Sequence, residues 1–157
     1  MAERVVLTVG SVLRGDDAAG PYLALLLEKA GVRDWTVIDG GQTPEDELGA
    51  IRRRQPDVVV VVDAADMGLP AGAVRRLRRE DVRADYLLTT HALPLSILIG
   101  ELEQMADDVV FIGIQPASTT FFDPLTPSVR NAVERLCGMF ERNEGFDRIP
   151  WVGEADG

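Results

Sequence analysis

The chain has a single histidine, His91, in the stretch Thr89-Thr90-His91-Ala92-Leu93-Pro94, and two acidic groups stand where it could meet them. One is the pair Asp16-Asp17, in a glycine-rich loop from Gly10 to Gly20. The other is Asp63, which follows the valine run Val58 to Val62. Each acid appears where an apolar run stops. In an open α/β sheet the strand ends converge on one edge, and ligands bind there. Two carboxylates and one imidazole on that edge would make a three-ligand metal site with open positions. Such a donor set suits Ni²⁺, Zn²⁺, Mn²⁺ or Fe²⁺ rather than Ca²⁺ or Mg²⁺.

Plainer roles compete with this chemistry. A carboxylate near a helix N-terminus is stabilised by exposed N–H groups, so one of Asp16 and Asp17 needs no other purpose. Two adjacent acids exceed what a cap requires. Asp63 must sit at a strand end, because burying it unpaired is costly; Asp66 is the better candidate to cap the loop that follows. Asp39, in Ile38-Asp39-Gly40-Gly41-Gln42-Thr43-Pro44, ends another apolar run beside two glycines that let backbone approach a ligand. The spacing of Gly10, Gly15 and Gly20 does not match a dinucleotide fingerprint, and the loop lacks the Lys-Ser/Thr pair of a P-loop. No Gly-x-Ser-x-Gly elbow is present. One histidine also rules out a His-Glu-x-x-His motif.

The elements that must position these residues are legible in the apolar pattern. Val5 to Val9, Trp35 to Ile38, Val58 to Val62 and Val109 to Ile114 are short, β-branched and nearly continuous, as in a sheet covered on both faces. Ala73 to Leu77 alternates and reads as an edge strand. Helices are expected over Pro21 to Lys29, ending before Gly31, and from Thr43-Pro44 to about Arg54, with Thr43 as cap. Two more open at Pro94 and at Thr126-Pro127, the last presenting Val129, Val133, Leu136 and Phe140 on one face. The expected fold is a three-layer α/β/α sandwich around a mostly parallel, mixed sheet of about five strands. Residues 144–157 lose periodicity and read as a flexible tail, with docking of Trp151 and Val152 on the domain as the alternative.

At 157 residues, 46% of them hydrophobic, the chain suits one domain with a substantial core. A net charge of −10 argues against nucleic acid and anionic membranes as partners. The lone cysteine, Cys137, excludes an internal disulfide and is expected in the core. No signal peptide or membrane span is apparent, so a cytoplasmic protein is expected; it is also expected to be a monomer.

Several motifs in order resemble one family. Gly10 to Gly20, Asp39 to Pro44, Val62-Asp63-Ala64-Ala65-Asp66-Met67-Gly68, Thr89 to Pro94 and Gly113-Ile114-Gln115-Pro116 are similar to those of the [NiFe]-hydrogenase maturation endopeptidases, nearest the formate-hydrogenlyase type. The likeness spans residues 4–143 and implies a single peptidase domain over 1–143. It implies a nickel-dependent endopeptidase that removes the C-terminal extension of a hydrogenase large-subunit precursor after nickel insertion. The nickel would arrive with the precursor, and other divalent metals would substitute. By motif position the resemblance assigns Asp17, Asp63 and His91 as metal ligands, with Asp17 and Asp39 serving cleavage or substrate positioning. Asp16 is the neighbouring acid rather than the matched ligand. Gly10-Ser11 replaces the usual Gly-Asn, losing the amide's paired donor and acceptor. Two other functions fit the same ligands: a nickel-sensing scaffold that never cuts, and a metal-dependent hydrolase of small molecules. As a ligand His91 must be neutral, so activity should fall in acid.

Overall fold

In the computed structural model the described residues are 2–83, 86 and 93–154. The chain begins with β1 (Arg4–Thr8), α1 (Ala19–Ala30), β2 (Thr36–Asp39), α2 (Leu48–Arg54) and β3 (Val58–Ala64). It continues with β4 (Val74–Leu77), α3 (Leu95–Glu103), β5 (Asp108–Ile114) and α4 (Pro127–Arg142). The sheet runs β2-β1-β3-β5-β4, parallel except for β4, which pairs antiparallel with β5 at the edge. The expected strands and helices are present.

Alternation along the central strands divides the core in two. Val6, Val60, Val62, Ile112 and Ile114 face α1 and α4, meeting Leu23, Leu27, Val133, Leu136 and Phe140. Val5, Leu7, Val59, Val61 and Phe111 face the other way, onto Ile51 of α2 and Leu95, Leu98 and Leu102 of α3. Both faces being covered explains why these strands read as near-continuous valine, isoleucine and leucine. The chain passes from β1 to β2 through α1 on one face. It then crosses back to the far side of β1 through α2 on the other face. Strand order therefore reverses between β1 and β3, which opens a crevice beyond their carboxyl ends.

Two local expectations change. Thr43 makes no side-chain cap; residues Pro44–Glu47 form a 3₁₀ turn before α2 begins. The C-terminal segment is not a loose tail over its described part. The Arg76 N–H donates to the Pro150 carbonyl at 2.8 Å, and the Val152 N–H to the Arg76 carbonyl at 2.9 Å. The Trp151 ring takes the Arg76 guanidinium 4.3 Å from its centroid and that of Arg78 at 3.9 Å. Cation–π attraction and backbone pairing thus dock residues 149–152 on the free edge of β4.

Candidate functional site

The loop after β1 carries Asp16 and Asp17 into a 3₁₀ turn, Gly15–Ala18, that leads into α1. Glycines let this turn press against its neighbours. Gly10 has φ +145, and a Cβ there would collide with the Asp17 carbonyl; Gly15 has φ +53, and a Cβ there would lie 2.6 Å from the Ser118 carbonyl oxygen. These glycines serve close backbone approach, not a phosphate cradle.

Asp16 and Asp17 are both buried, yet they do different work. Asp16 Oδ2 accepts from the Ala117 N–H at 2.8 Å, the Ser118 N–H at 3.1 Å and the Thr126 hydroxyl at 2.9 Å. Its Oδ1 accepts the Thr126 N–H at 2.8 Å. Four donors on two oxygens tie the first loop to the segment between β5 and α4. The Thr126 hydroxyl is diverted to this knot, which is why Thr126 places no side-chain cap on α4. Asp17 instead bonds within its own loop: its Oδ2 accepts the Ser11 N–H at 3.0 Å. That contact is made by backbone, so the exchange of Asn for Ser at position 11 leaves it intact. The Ser11 hydroxyl accepts the Leu13 N–H at 3.3 Å.

Asp63 is the penultimate residue of β3, aligned with Gly113 of β5 and buried. Its Oδ1 has no hydrogen-bond partner among the described residues. Burial first, then the charge of Asp17, push the Asp63 carboxyl well above the ordinary carboxylate range; a bond from the Ala64 N–H pulls the other way. The two acids therefore stand close enough to repel, and Asp63 Oδ1 has no partner among the described residues. A divalent cation between them would satisfy that oxygen and remove the repulsion, so the donor set fits a metal. His91 lies outside the described residues.

Asp39 ends β2 and is exposed, with β1 between it and β3, a lateral separation of about 10 Å at ordinary strand spacing. Its Oδ1 accepts the Thr8 hydroxyl at 3.2 Å and the Gly41 N–H at 3.1 Å, which fixes the carboxylate's direction. Asp66 does cap its own loop, accepting the Gly68 N–H at 3.3 Å. Gln115 is a residue that motif chemistry passed over. It donates to Asp66 at 3.0 Å and accepts the Met67 and Leu69 N–H groups at 2.7 and 3.2 Å, bracing the loop that follows Asp63. Cys137 is a core residue. Burial and its bond to Glu141 raise the thiol to about 11, so it is no nucleophile.

Residues 21–143 match a family model described as hydrogenase maturation protease. The chain is 41% identical over 143 residues to the hydrogenase 3 maturation protease of Escherichia coli, covering 91% of this chain and 90% of that protein. A crystal structure of a hydrogenase 3 maturation protease superposes with a TM-score of 0.89 at 38% identity, over 98% of both chains. That of a [NiFe] hydrogenase maturation protease from Thermococcus kodakarensis superposes with a TM-score of 0.79 at 32% identity, covering 90% of this chain and 91% of that one.

Proposed function

The chain belongs to the hydrogenase maturation proteases, and we propose that it hydrolyses one peptide bond in the large-subunit precursor of a [NiFe]-hydrogenase, releasing the C-terminal extension after nickel has been inserted. Water adds across the scissile amide, leaving a carboxylate on the shortened subunit and an amine on the released peptide. One observation supports the nickel dependence: the buried Asp63 oxygen without a partner among the described residues, beside Asp17 at the crevice between β1 and β3.

Asp17, Asp63 and His91 are the ligands of this reading. The nickel belongs to the substrate, and when bound it would tether the precursor and polarise groups near it. The residues of the chain supply the rest. The Ser11 N–H orients Asp17. Burial keeps competing water from Asp63. Asp39, steadied by Thr8 and Gly41, stands at the crevice margin to orient the peptide or take a proton from the attacking water. Holding the scissile bond against these groups provides proximity. A precursor without nickel leaves the three ligands unengaged and is not cut. The reading also takes the protein to be a cytoplasmic monomer, in keeping with its single cysteine.

The test is a cleavage assay on the cognate precursor, nickel-loaded and nickel-free, with wild type, Asp63→Asn and His91→Ala. Shortening should require both nickel and the intact ligands. Equal cutting of the nickel-free precursor would remove nickel from the scheme. Binding without shortening by wild type would make the protein a sensor instead.

A further inference from the structure

Four large apolar side chains stand in water next to the crevice. Val12 is 69% exposed, Leu13 51%, Phe121 57% and Phe122 83%. They come from two loops distant in sequence that the backbone clamps together, the Phe122 N–H donating to the Leu13 carbonyl at 2.7 Å. The two phenyl rings lie 6.1 Å apart between centroids, and the Arg14 guanidinium sits 4.9 Å from the Phe121 ring. Phe122 has φ +68, a left-handed backbone that is a genuine outlier for a bulky residue. Such strain persists only where its surroundings enforce it, and it gathers at ligand-holding sites. Here Phe122 is the third residue of a Thr120–Asp123 turn, closed by the Asp123 N–H on the Thr120 carbonyl at 3.3 Å, and its phenyl ring is held in solvent. Contiguous exposed apolar side chains of this kind mark interaction surfaces.

The patch is continuous with the proposed site. Ser11 bridges them, its N–H on the Asp17 carboxylate at 3.0 Å and its hydroxyl on the Leu13 N–H at 3.3 Å. The Asp16 knot fixes the other loop, through Ala117, Ser118 and Thr126 on either side of Phe121-Phe122. A polypeptide presented to Asp17 therefore lies alongside Val12, Leu13 and the two rings. The four side chains are uncharged, and among the described residues the only cation against them is the Arg14 guanidinium on the Phe121 ring, so the patch selects an apolar occupant rather than a basic one.

We propose that Val12, Leu13, Phe121 and Phe122 form the docking surface for an apolar segment of the large-subunit precursor next to its scissile bond. This rests on the protease reading, but it concerns binding made without the nickel. The patch would hold nickel-free precursor as well, and the metal ligands would then decide whether the held chain is cut.

The experiment measures the affinity of full-length protein for the nickel-free precursor, with wild type and with Val12→Ser/Phe122→Asn. Asn tolerates the left-handed backbone, so this variant should keep its fold, as its melting temperature will verify. Loss of two buried apolar anchors should weaken binding about tenfold to a hundredfold. Unchanged affinity in a folded variant would overturn the proposal, whatever the cleavage assay finds. So would sedimentation showing that wild type self-associates through the patch while the variant is monomeric with undiminished precursor affinity. Failure of wild type to cut loaded precursor would instead overturn the protease reading and leave the affinity comparison standing.

Discussion

Asp16 and Asp63 are both buried acids beside the same crevice, and they are opposites. Asp16 is surrounded by four donors that join two loops. Asp63 has an oxygen with no partner among the described residues and a like charge beside it. Burial alone therefore does not separate structure from chemistry. What separates them is the count of donors against lone pairs: the Asp16 carboxylate is saturated and ties two loops, while Asp63 Oδ1 keeps the capacity to accept a ligand.

The widest test of that contrast is a pair of substitutions. Asp63→Asn should reduce cleavage of nickel-loaded precursor by more than the roughly 100-fold that outer partners of a metal site cost. It should also stabilise the isolated protein by about 1–2 kcal/mol at neutral pH, since the cost of a buried charge near Asp17 disappears. Asp16→Asn should do the reverse. Its amide can face only one oxygen's donors without conflict, so at least one buried N–H or O–H loses its acceptor. That should cost about 2–4 kcal/mol, while protein that remains folded still cuts. Denaturant unfolding and single-turnover cleavage of both variants check this; equal losses in both quantities would erase the distinction.

Proton linkage sharpens it. The folded Asp63 carboxyl titrates above its unfolded value, so the folded state holds that proton more tightly. Its contribution to stability is present below the unfolded pKa of about 3.9 and is lost as pH rises through the folded pKa. With chelator present, the stability advantage of Asp63→Asn over wild type should be largest near neutral pH and shrink as pH falls through that window. Chemical denaturation at a series of pH values measures the difference. An advantage that does not vary with pH would mean that Asp63 ionisation carries no folding cost.

How far these roles could be read from sequence follows from the range of the interactions. The strands were legible because burial on both faces writes itself into local composition, as in Val58 to Val62. That acids stand beyond the ends of β1 and β3 was legible because each follows an apolar run in a doubly wound sheet. Which of the adjacent acids Asp16 and Asp17 ties the fold was not decidable from the pattern itself. The deciding partners, Ala117, Ser118 and Thr126, are more than a hundred positions away. Thr126 reads locally as an ordinary helix cap, and only the tertiary structure shows its hydroxyl turned to Asp16. That Trp151 and Val152 could dock was legible from their apolar side chains, but the place was not, for a similar reason. The segment's pairing with Arg76 uses backbone groups and stacked guanidinium planes, which leave no periodic trace.

Within the knot the contributions can be graded. Thr126→Val removes one of the four bonds to Asp16 but keeps the backbone N–H at 2.8 Å. The loss should be about 1 kcal/mol, with cleavage nearly unchanged. A loss as large as that of Asp16→Asn would mean that the hydroxyl alone carries the knot.

The smallest effect belongs to Ser11, the position where the resemblance expects Asn. Its contact with Asp17 comes from the backbone N–H, which any residue but proline supplies. Ser11→Ala removes only the hydroxyl that accepts the Leu13 N–H at 3.3 Å. Leu13 is half-exposed, so water can replace that acceptor. Stability should fall by no more than about 0.5–1 kcal/mol, and kcat/KM for loaded precursor by less than about fivefold. Both loops of the docking patch stay pinned by the Phe122 N–H on the Leu13 carbonyl. A large rise in KM with kcat preserved would show that the Ser11 hydroxyl, rather than that backbone bond, holds Val12 and Leu13 in place. A large fall in kcat would show that Asp17 depends on the side chain at position 11 after all, and the orientation of that carboxylate would then need a source other than the loop backbone.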